Sequence, residues 1–580
     1  MNSDYADLDA RQRRFSLRKK WALAGLALFL AAATYAVSSV VLAHHAPTAT
    51  PEPLWCNSVR KTDALPVKDV RKLLANSTLW DETLAKLANA VRVPTEIYDH
   101  TPDPSSSPDD AIWEPFQKLH DQLESDFPAV WSKLQVETVN EYGLVITWEG
   151  SREDLKPVMF AAHMDVVPVE RKTWSHWQHE PFSGDITHDP ELGDLLWGRG
   201  SFDDKNMLIG ILQALEYLLT HEPDYTPRHG VVVAIGFDEE VGGYRGAQKI
   251  AKLLHERYGQ HGILSIIDEG VVGVKEIEGV LVAAPGTGEK GRYDMQFELN
   301  TPGGHSSVPP DHTSIGIAAD LISTIEREKF PAMFTSKNPM SQYYRCIADY
   351  STTMDKSLKR DFLHSMTDPA ANNRVINFLI ESGGHKTEYL FRSTHAFDII
   401  HGGIKANALP ETVSFLVDSR IAVETSVQDI QKSFLDSTLE IARKYDLGVT
   451  FEGEELIPAT ANGNFRLTTE GKPLEAAPVA PQNDIWDIFS GTIKSFYEDV
   501  VFPTKFNESR ELIVAPSIMT ANTDTAHYWN LTRNIYRYQP GFAMEDTLST
   551  IHSVNEHINA ETVMHVVAFV YGYIRTVDSA

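Results

Sequence analysis

The sequence predicts an α/β fold: a larger domain with a mostly parallel central sheet flanked by helices, an inserted smaller α+β domain, and one N-terminal transmembrane helix. Short apolar runs alternate with helical patterns, which is typical of a largely parallel sheet. A different strand pattern between residues 291 and 453 predicts the inserted domain. A long uncharged run near the N-terminus predicts the membrane helix.

The N-terminal apolar run covers residues 21–43, 23 residues without a charged side chain. About 20 apolar residues at 1.5 Å each span a hydrocarbon core of about 30 Å. Arg and Lys cluster before the run and none follows until Arg60, so the positive-inside rule places residues 1–20 in the cytosol and the rest in a lumen or outside. A cleaved signal peptide is the alternative, although its apolar region usually has about 7–15 residues. Residues 44–60 are then a linker.

Composition excludes several classes of function. The 580 residues include 80 acidic and 52 basic ones, a formal charge of −28. This charge argues against a nucleic acid partner, because phosphates are bound by an excess of Lys and Arg. Cys56 and Cys346 are the only cysteines, too few for a thiolate-rich zinc site, and whether they pair is left open. Sequons at Asn76, Asn507 and Asn530 would be glycosylation sites in a lumenal domain.

Three apolar runs predict buried strands that end in polar clusters. The runs and the clusters that follow them are 157–162 (PVMFAA) before His163-Met164-Asp165, 231–237 (VVVAIGF) before Asp238-Glu239-Glu240, and 263–267 (ILSII) before Asp268-Glu269-Gly270. Helical patterns at 205–219 and 244–258 lie between the runs. Ligands bind beyond the carboxyl ends of strands in such sheets, so the clusters predict a functional site.

The inserted domain is predicted at 291–453, between a first part of the larger domain at 61–290 and a second part at 454–580. Its pattern consists of strand-like stretches and one long helix, at 293–299, 411–422, 427–445 and 449–452. Residues 454–485 are rich in Pro, Ala and Gly, which predicts an irregular insertion.

The candidate metal ligands are two imidazoles and three carboxylates: His163, Asp203, Glu240, an acid from Asp268-Glu269, and His552. This set suits zinc, with Co²⁺ or Mn²⁺ as substitutes. If one carboxylate bridges, five ligands can hold two ions, which clamp and activate a shared water. Asp165 is spaced to orient His163, and Glu239 stands beside Glu240, where it can take a proton from the water.

These motifs resemble those of the dinuclear zinc exopeptidases that include carboxypeptidase S, aminoacylase and glutamate carboxypeptidase, and most of all the fungal vacuolar members. The resemblance covers about residues 90 to 575. The matching segments are HMDVVP at 163–168, GRGSFDDK at 198–205, DEEVGG at 238–243, DEG at 268–270 and HSVNE at 552–556.

The resemblance implies a role for each motif. Asp203 would bridge two zinc ions and be followed by a cis peptide. Glu239 would be the general base, assisted by Asp165, and Glu240 and His552 would be ligands. It leaves open whether Asp268 or Glu269 points at the metal.

The resemblance also implies that residues 291–453 form a lid domain through which two subunits can pair. His305 in GGHSS would polarise the substrate carbonyl, in some family members from a partner subunit. Asn407 and Arg420 would bind substrate, with Arg420 as a carboxylate clamp. The segment Thr523-Asp524-Thr525 resembles a further active-site segment.

The expected function is a zinc-dependent carboxypeptidase with two Zn²⁺ per subunit, which hydrolyses the C-terminal peptide bond of short or N-blocked peptides. One alternative is an N-acyl-amino-acid amidohydrolase acting on N-fatty-acyl amino acids. The other is an anchored lumenal receptor on the same fold. The topology predicts a single-pass type II membrane protein, and only the resemblance indicates the vacuole.

Overall fold

The computed structural model describes residues 53–107 and 111–579. Its strands are β1 (Gln135–Val139), β2 (Gly143–Trp148), β3 (Val158–His163), β4 (Asp185–Asp189), β5 (Gly193–Trp197), β6 (Val231–Gly236), β7 (Ser265–Ile277), β8 (Val280–Ala283), β9 (Gly286–Glu289), β10 (Gly291–Asn300), β11 (Gly304–His305), β12 (Thr394–Gly402), β13 (Ala408–Leu409), β14 (Thr412–Ile421), β15 (Gly448–Phe451), β16 (Glu454–Ile457), β17 (Asn464–Leu474), β18 (Leu512–Val514), β19 (Ser517–Met519), β20 (Ile535–Phe542) and β21 (His557–Asn559).

The α-helices are α1 (Val67–Leu74), α2 (Ser77–Val91), α3 (Glu114–Asp126), α4 (Pro128–Lys133), α5 (Lys205–His221), α6 (Ala247–Tyr258), α7 (Ser314–Arg327), α8 (Pro339–Tyr350), α9 (Lys356–His364), α10 (Pro369–Glu388), α11 (Val427–Tyr445), α12 (Asp484–Ser495), α13 (Phe502–Phe506), α14 (Glu545–Leu548) and α15 (Ala560–Ser579). The predicted membrane helix at 21–43 lies outside the described residues. Within them, every helix is too short or too polar to cross a bilayer.

The main sheet is mixed rather than mostly parallel. Its strand order is β1-β2-β6-β3-β7-β20-β9-β19, with β8 and β18 joined to β7. The central strands β6, β3, β7 and β20 are parallel. In contrast, β1, β2 and β6 pair antiparallel. For β1 and β2 the reason is local: so short a connection can only form a hairpin, whereas parallel strands need a crossover of a dozen or more residues.

The centre of the larger domain is fully buried. Every residue of β3 and β6 is buried, as expected for parallel strands covered on both faces. Helices α5 and α15 pack on each other, and both are buried around nearly their whole circumference. Helices buried on all sides belong in an interior, and these two also contact the central strands β3 and β20.

A second sheet, which we call the lid sheet, has the order β12-β14-β10-β17-β15-β16. One face packs on α7 and α11 in a core of its own. Its strand β17 corrects the prediction of an irregular insertion at 454–485, because β17 is a central strand that pairs with β10 on one side and β15 on the other. The Pro and Ala residues of this range lie mostly on either side of the strand, at 458–461 and 476–481.

Three helices within the range predicted for the inserted domain pack elsewhere. Helices α8, α9 and α10 share a core with β8, β18 and β19. Cys346 on α8 forms a disulfide with Cys56, with 6.1 Å between the two Cα atoms. Leu54 and Cys56 are buried, so the predicted linker at 44–60 does not extend to residue 60 as a free segment. A disulfide that closes such a long loop restricts the unfolded chain.

Candidate metal centre

His163 is the last residue of β3 and only 1% of its surface is exposed. Its Nδ1 lies 3.1 Å from the carbonyl oxygen of Asp165 and 3.4 Å from an oxygen of the Asp165 carboxylate. The other oxygen of that carboxylate accepts a hydrogen bond from the backbone N–H of Glu240, at 3.0 Å. Asp165 therefore fixes the imidazole so that Nε2 points away from the strand.

Asp203 lies between two imidazoles. One of its oxygens is 3.1 Å from Nε2 of His163, and the other is 3.0 Å from Nε2 of His552. The peptide bond between Asp203 and Asp204 is cis, as the resemblance implied. A carboxylate that faces one imidazole with each oxygen has the arrangement required of a ligand shared by two ions.

The loop that carries Asp203 is held by Glu556. One oxygen of the buried Glu556 carboxylate accepts hydrogen bonds from the backbone N–H groups of Gly200, Phe202 and Asp203, at 2.9, 3.1 and 3.3 Å. The other contacts the guanidinium of Arg199. Glu556 follows His552 by four residues, so it ties the His552 loop to the Asp203 loop.

Glu239 and Glu240 begin a short 3₁₀ turn, Glu239–Val241, directly after β6 and Asp238. An oxygen of Glu240 is 3.2 Å from Nε2 of His552. Glu239 stands on the other side, in one group with His163 and Glu269 whose ligand atoms all lie within 4.8 Å of one another. Glu240 also forms a group with His163 and Asp203 whose ligand atoms lie within 4.8 Å of one another, so Glu240 lies near both imidazoles.

Glu269, and not Asp268, is the acid beside His163. Its carboxylate lies 3.4 Å from Nε2 of His163. Both acids lie within β7 rather than after it, at an irregularity where the pairing with β20 skips Glu269 and Gly270. The irregularity turns Glu269 toward the end of β3, while Asp268 stays buried with one oxygen unpartnered among the described residues.

Burial and mutual repulsion shift the pKa values of the acids. Burial, reinforced by the charge of Glu269, raises the pKa of Glu239 well above its usual range. Burial and the charge of Asp203 raise the pKa of Glu240 to about 7. Both effects favour the neutral acid. A cation placed among these oxygens would reverse them, so the donor set fits a metal ion.

The pKa values of the imidazoles are raised as well, but in a histidine this favours the charged form. Hydrogen bonds with Asp203 and Glu240 raise the pKa of His552 to about 10. Burial would raise the pKa of Asp203, but its hydrogen bonds with His163 and His552 hold it below its usual range. The raised pKa of each imidazole favours its protonated form beside the carboxylates, and a metal ion would supply that positive charge instead when neutral imidazoles ligate it.

Two of the predicted substrate-binding residues lie on a separate ribbon of the lid region. His305 in β11 pairs with Ala408 in β13, and the N–H of Ser306 donates to the carbonyl of Asn407 at 3.3 Å. His305 and Asn407 are both exposed. The His305 side chain hydrogen-bonds with Ser307, and within the described residues no hydrogen bond joins it to the metal-binding group.

Arg420 lies in β14, on the face of the lid sheet opposite the core. Its guanidinium contacts Asp418 at 3.2 Å and the side-chain oxygen of Asn522 at 3.2 Å. It also lines a cavity of about 510 Å³, so a ligand can reach it. Neither Asn522 nor Glu556 was assigned a role from the sequence. Glu556 stands within the HSVNE motif, which was the available signal, and Asn522 directly precedes the Thr523-Asp524-Thr525 segment, which was the only signal near it.

Comparison with known proteins gives consistent matches. Residues 159–576 match the model described as Peptidase family M20/M25/M40. Carboxypeptidase S of Saccharomyces cerevisiae is 41% identical over 512 residues, covering 88% of this chain and 86% of that protein. The N-fatty-acyl-amino acid synthase/hydrolase PM20D1 of Bos taurus is 30% identical over 498 residues, covering 85% of this chain and 87% of that protein.

Solved structures show the same fold at lower identity. Human carnosine dipeptidase 1 matches with a TM-score of 0.55 at 14% identity, covering 91% of this chain and 100% of that chain. The dipeptidase Dug1p from Saccharomyces cerevisiae matches with a TM-score of 0.56 at 13% identity, covering 89% of this chain and 99% of that chain.

Proposed function

Since the chain belongs to peptidase family M20/M25/M40 and is a metallo-exopeptidase, we propose that it is a zinc-dependent carboxypeptidase that removes the C-terminal residue of short or N-blocked peptides. The observation that carries this proposal is the position of Asp203 between the imidazoles of His163 and His552. Glu239 lies in one group with His163. The similarity to carboxypeptidase S favours a peptide as substrate.

We propose that two ions bind and share Asp203. His163 and Glu269 would complete one set of ligands, and His552 and Glu240 the other, because each imidazole contacts one Asp203 oxygen and also the acid named with it. When bound, zinc supplies a Lewis acid that polarises the substrate carbonyl and lowers the pKa of a water. Imidazole and carboxylate ligands are those that zinc prefers in catalytic sites.

Glu239 is the proposed general base. Its carboxylate would accept a proton from the attacking water as the oxygen bonds to the carbonyl carbon, and would then donate that proton to the leaving nitrogen as the C–N bond breaks. This role needs a carboxylate that lies close to the metal ligands but does not itself bind the metal. Glu239 fits it, because its neighbour Glu240 contacts His552 instead.

Arg420 is the proposed clamp for the free α-carboxylate of the substrate. A guanidinium offers two parallel N–H groups to a carboxylate, and Arg420 is reachable from the cavity beside it. A required carboxylate next to the scissile bond restricts cleavage to the chain end. It would also admit an N-acyl amino acid, which has the same carboxylate and amide.

That second substrate class is favoured by one observation, the 30% identity to an N-fatty-acyl-amino acid synthase/hydrolase. Hydrolysis of N-blocked dipeptides and of long-chain N-acyl amino acids by the purified full-length protein separates the two. We expect the dipeptides to give the higher kcat/KM, with loss of activity in chelator and recovery on adding zinc. A higher kcat/KM for the long-chain acyl compounds would reverse the assignment, and full activity after thorough chelation would contradict both.

We also propose that the lid sheet pairs with a second copy of the chain. Strand β12 is an edge of that sheet, and the apolar side chains of Ile400 and Ile404 on and beside it are 59% and 103% exposed. Edge strands and exposed apolar groups favour association. In such a dimer His305 of the partner subunit would complete the site.

A charged side chain in that edge tests the dimer. We expect Ile400→Lys to convert a dimeric molar mass, measured by light scattering, to that of the monomer and to reduce kcat. Ile186→Lys is the matched control, because Ile186 is a similarly exposed isoleucine (47%) in the separate sheet of β4, β5 and β21. A monomeric wild-type protein with full activity would exclude this role for His305.

A further inference from the structure

The side chain of Asn522 joins the two sheets of the molecule. Its Oδ1 accepts a hydrogen bond from Nη1 of Arg420 in the lid sheet, at 3.2 Å. Its Nδ2 donates to the carbonyl oxygen of Lys290, at 2.6 Å. Lys290 is the single residue between β9 of the main sheet and β10 of the lid sheet. Asn522 therefore fixes the Arg420 guanidinium against the point where the chain crosses between the sheets.

This crossing point is itself held firmly. The N–H of Lys290 donates to the carbonyl of Met519 at 3.0 Å. Its buried ammonium donates to the carbonyls of Tyr389 and Arg392, at 3.1 and 2.8 Å. Thr523, the residue after Asn522, donates to the buried carboxylate of Glu289 at 2.8 Å. With these bonds on both sides, Asn522 has little freedom to move, and neither has the guanidinium that it holds.

The same segment reaches the metal-binding group two residues later. Asp524 is 5% exposed, and its carboxylate packs against two glycines. A methyl group added to Gly236 would lie 2.1 Å from one carboxylate oxygen, and one added to Gly243 would lie 2.2 Å from the other. Gly236 is the register partner of His163, and Gly243 closes the turn that carries Glu239.

We propose that the segment Asn522–Asp524 sets the distance between Arg420 and the metal-binding side chains, and that Asn522 is the positioning residue that aims Arg420 at the substrate α-carboxylate. This inference rests on the proposed function. The inference explains how Arg420 on the lid sheet keeps a fixed position relative to the metal-binding side chains on the main sheet. The three consecutive residues of this segment together contact both sheets.

Asp418 is the acid that would compete most directly with the substrate for Arg420 if the bond between Arg420 and Asn522 were lost. Its carboxylate is 3.2 Å from Nε of Arg420 and 3.4 Å from Nε of Arg292. An Arg420 that lost its bond to Asn522 would retain Asp418 as its partner and would turn toward it. Asp418, which already contacts Nε of Arg420, would then hold the guanidinium without the opposing bond to Asn522, and the substrate carboxylate would have to compete with it.

The test compares Asn522→Ala with wild-type full-length protein on an N-blocked dipeptide and on the same dipeptide as its C-terminal amide. We expect KM for the free acid to rise about tenfold, as for loss of a hydrogen bond to a charged group, with kcat little changed. The preference for acid over amide should fall by the same factor. Asn462→Ala is the matched control, because Asn462 makes two side-chain hydrogen bonds in an exposed turn of the lid region.

Asn522→Asp sharpens the test, because it keeps the shape of the side chain and places a competing carboxylate on Arg420. We expect its KM for the free acid to exceed that of Asn522→Ala. Equal losses on acid and amide would indicate a general structural role and overturn the inference, as would an unchanged KM in Asn522→Ala beside an active wild type. A wild-type protein inactive on dipeptides and on N-acyl amino acids alike would overturn the proposed function and this inference with it.

Discussion

Replacing Glu239 by glutamine is expected to leave the bound zinc unchanged and to lower kcat by about 10²- to 10⁴-fold, the usual contribution of a general base. Glutamine has nearly the same shape but cannot accept the proton of the attacking water. The ligand contacts of Asp203 with His163 and His552 do not involve Glu239. Metal analysis of the purified variant, together with kcat on an N-blocked dipeptide, measures both parts of this expectation.

Glu153→Gln is the control for this substitution, because Glu153 lies in an exposed loop. It should match the wild type in zinc content and in kcat. Near-normal turnover by Glu239→Gln would remove Glu239 from the reaction. Loss of zinc from that variant would instead identify Glu239 as a ligand, in keeping with its place in one group with His163 and Glu269.

Replacing Asp203 by asparagine is expected to have the larger effect on metal content. Asp203 contacts one imidazole with each of its two oxygens, and an amide is a poor bridge because one of its two ends is a donor. We expect the variant to lose at least one zinc per subunit and about 10³-fold or more in kcat, since water activation depends on the metal site. Elemental analysis and kinetics on the same sample measure the two losses.

Asp194→Asn is the matched control for Asp203→Asn. Asp194 also contacts an imidazole, that of His188 at 2.7 Å, but on an exposed surface where its side chain is 49% exposed. This variant should keep its zinc and its activity. An Asp203→Asn protein with the full metal content of the wild type would contradict the bridging role, even if its activity were low.

Most of the candidate site could be predicted from the sequence because its residues follow apolar runs. His163, Glu239 and Glu240 come directly after runs that are buried strands, and the sheet brings the ends of such strands together. The choice between Asp268 and Glu269 could not be made. Successive side chains of a strand point to opposite faces, and only the pairing of β7 with β3 and β20 decides which of the two faces His163.

The fold prediction was wrong where distant residues pair. Strand β17 lies beside β10, more than 160 residues earlier in the chain, as in the pair Phe465 and Leu299. No local pattern shows such pairing, and the Pro- and Ala-rich residues on either side of the strand concealed it. Asn522 was missed for a related reason. Its partners, Arg420 and the carbonyl of Lys290, lie 102 and 232 residues away in the sequence.

A crystal structure of the wild-type protein with data collected at the zinc absorption edge tests the central claim most directly. Two anomalous peaks are predicted, both in contact with Asp203, one also with His163 and Glu269 and the other also with His552 and Glu240. A zinc-loaded crystal with no peak at Asp203, or with Asp203 bound to a single ion, would contradict the claim.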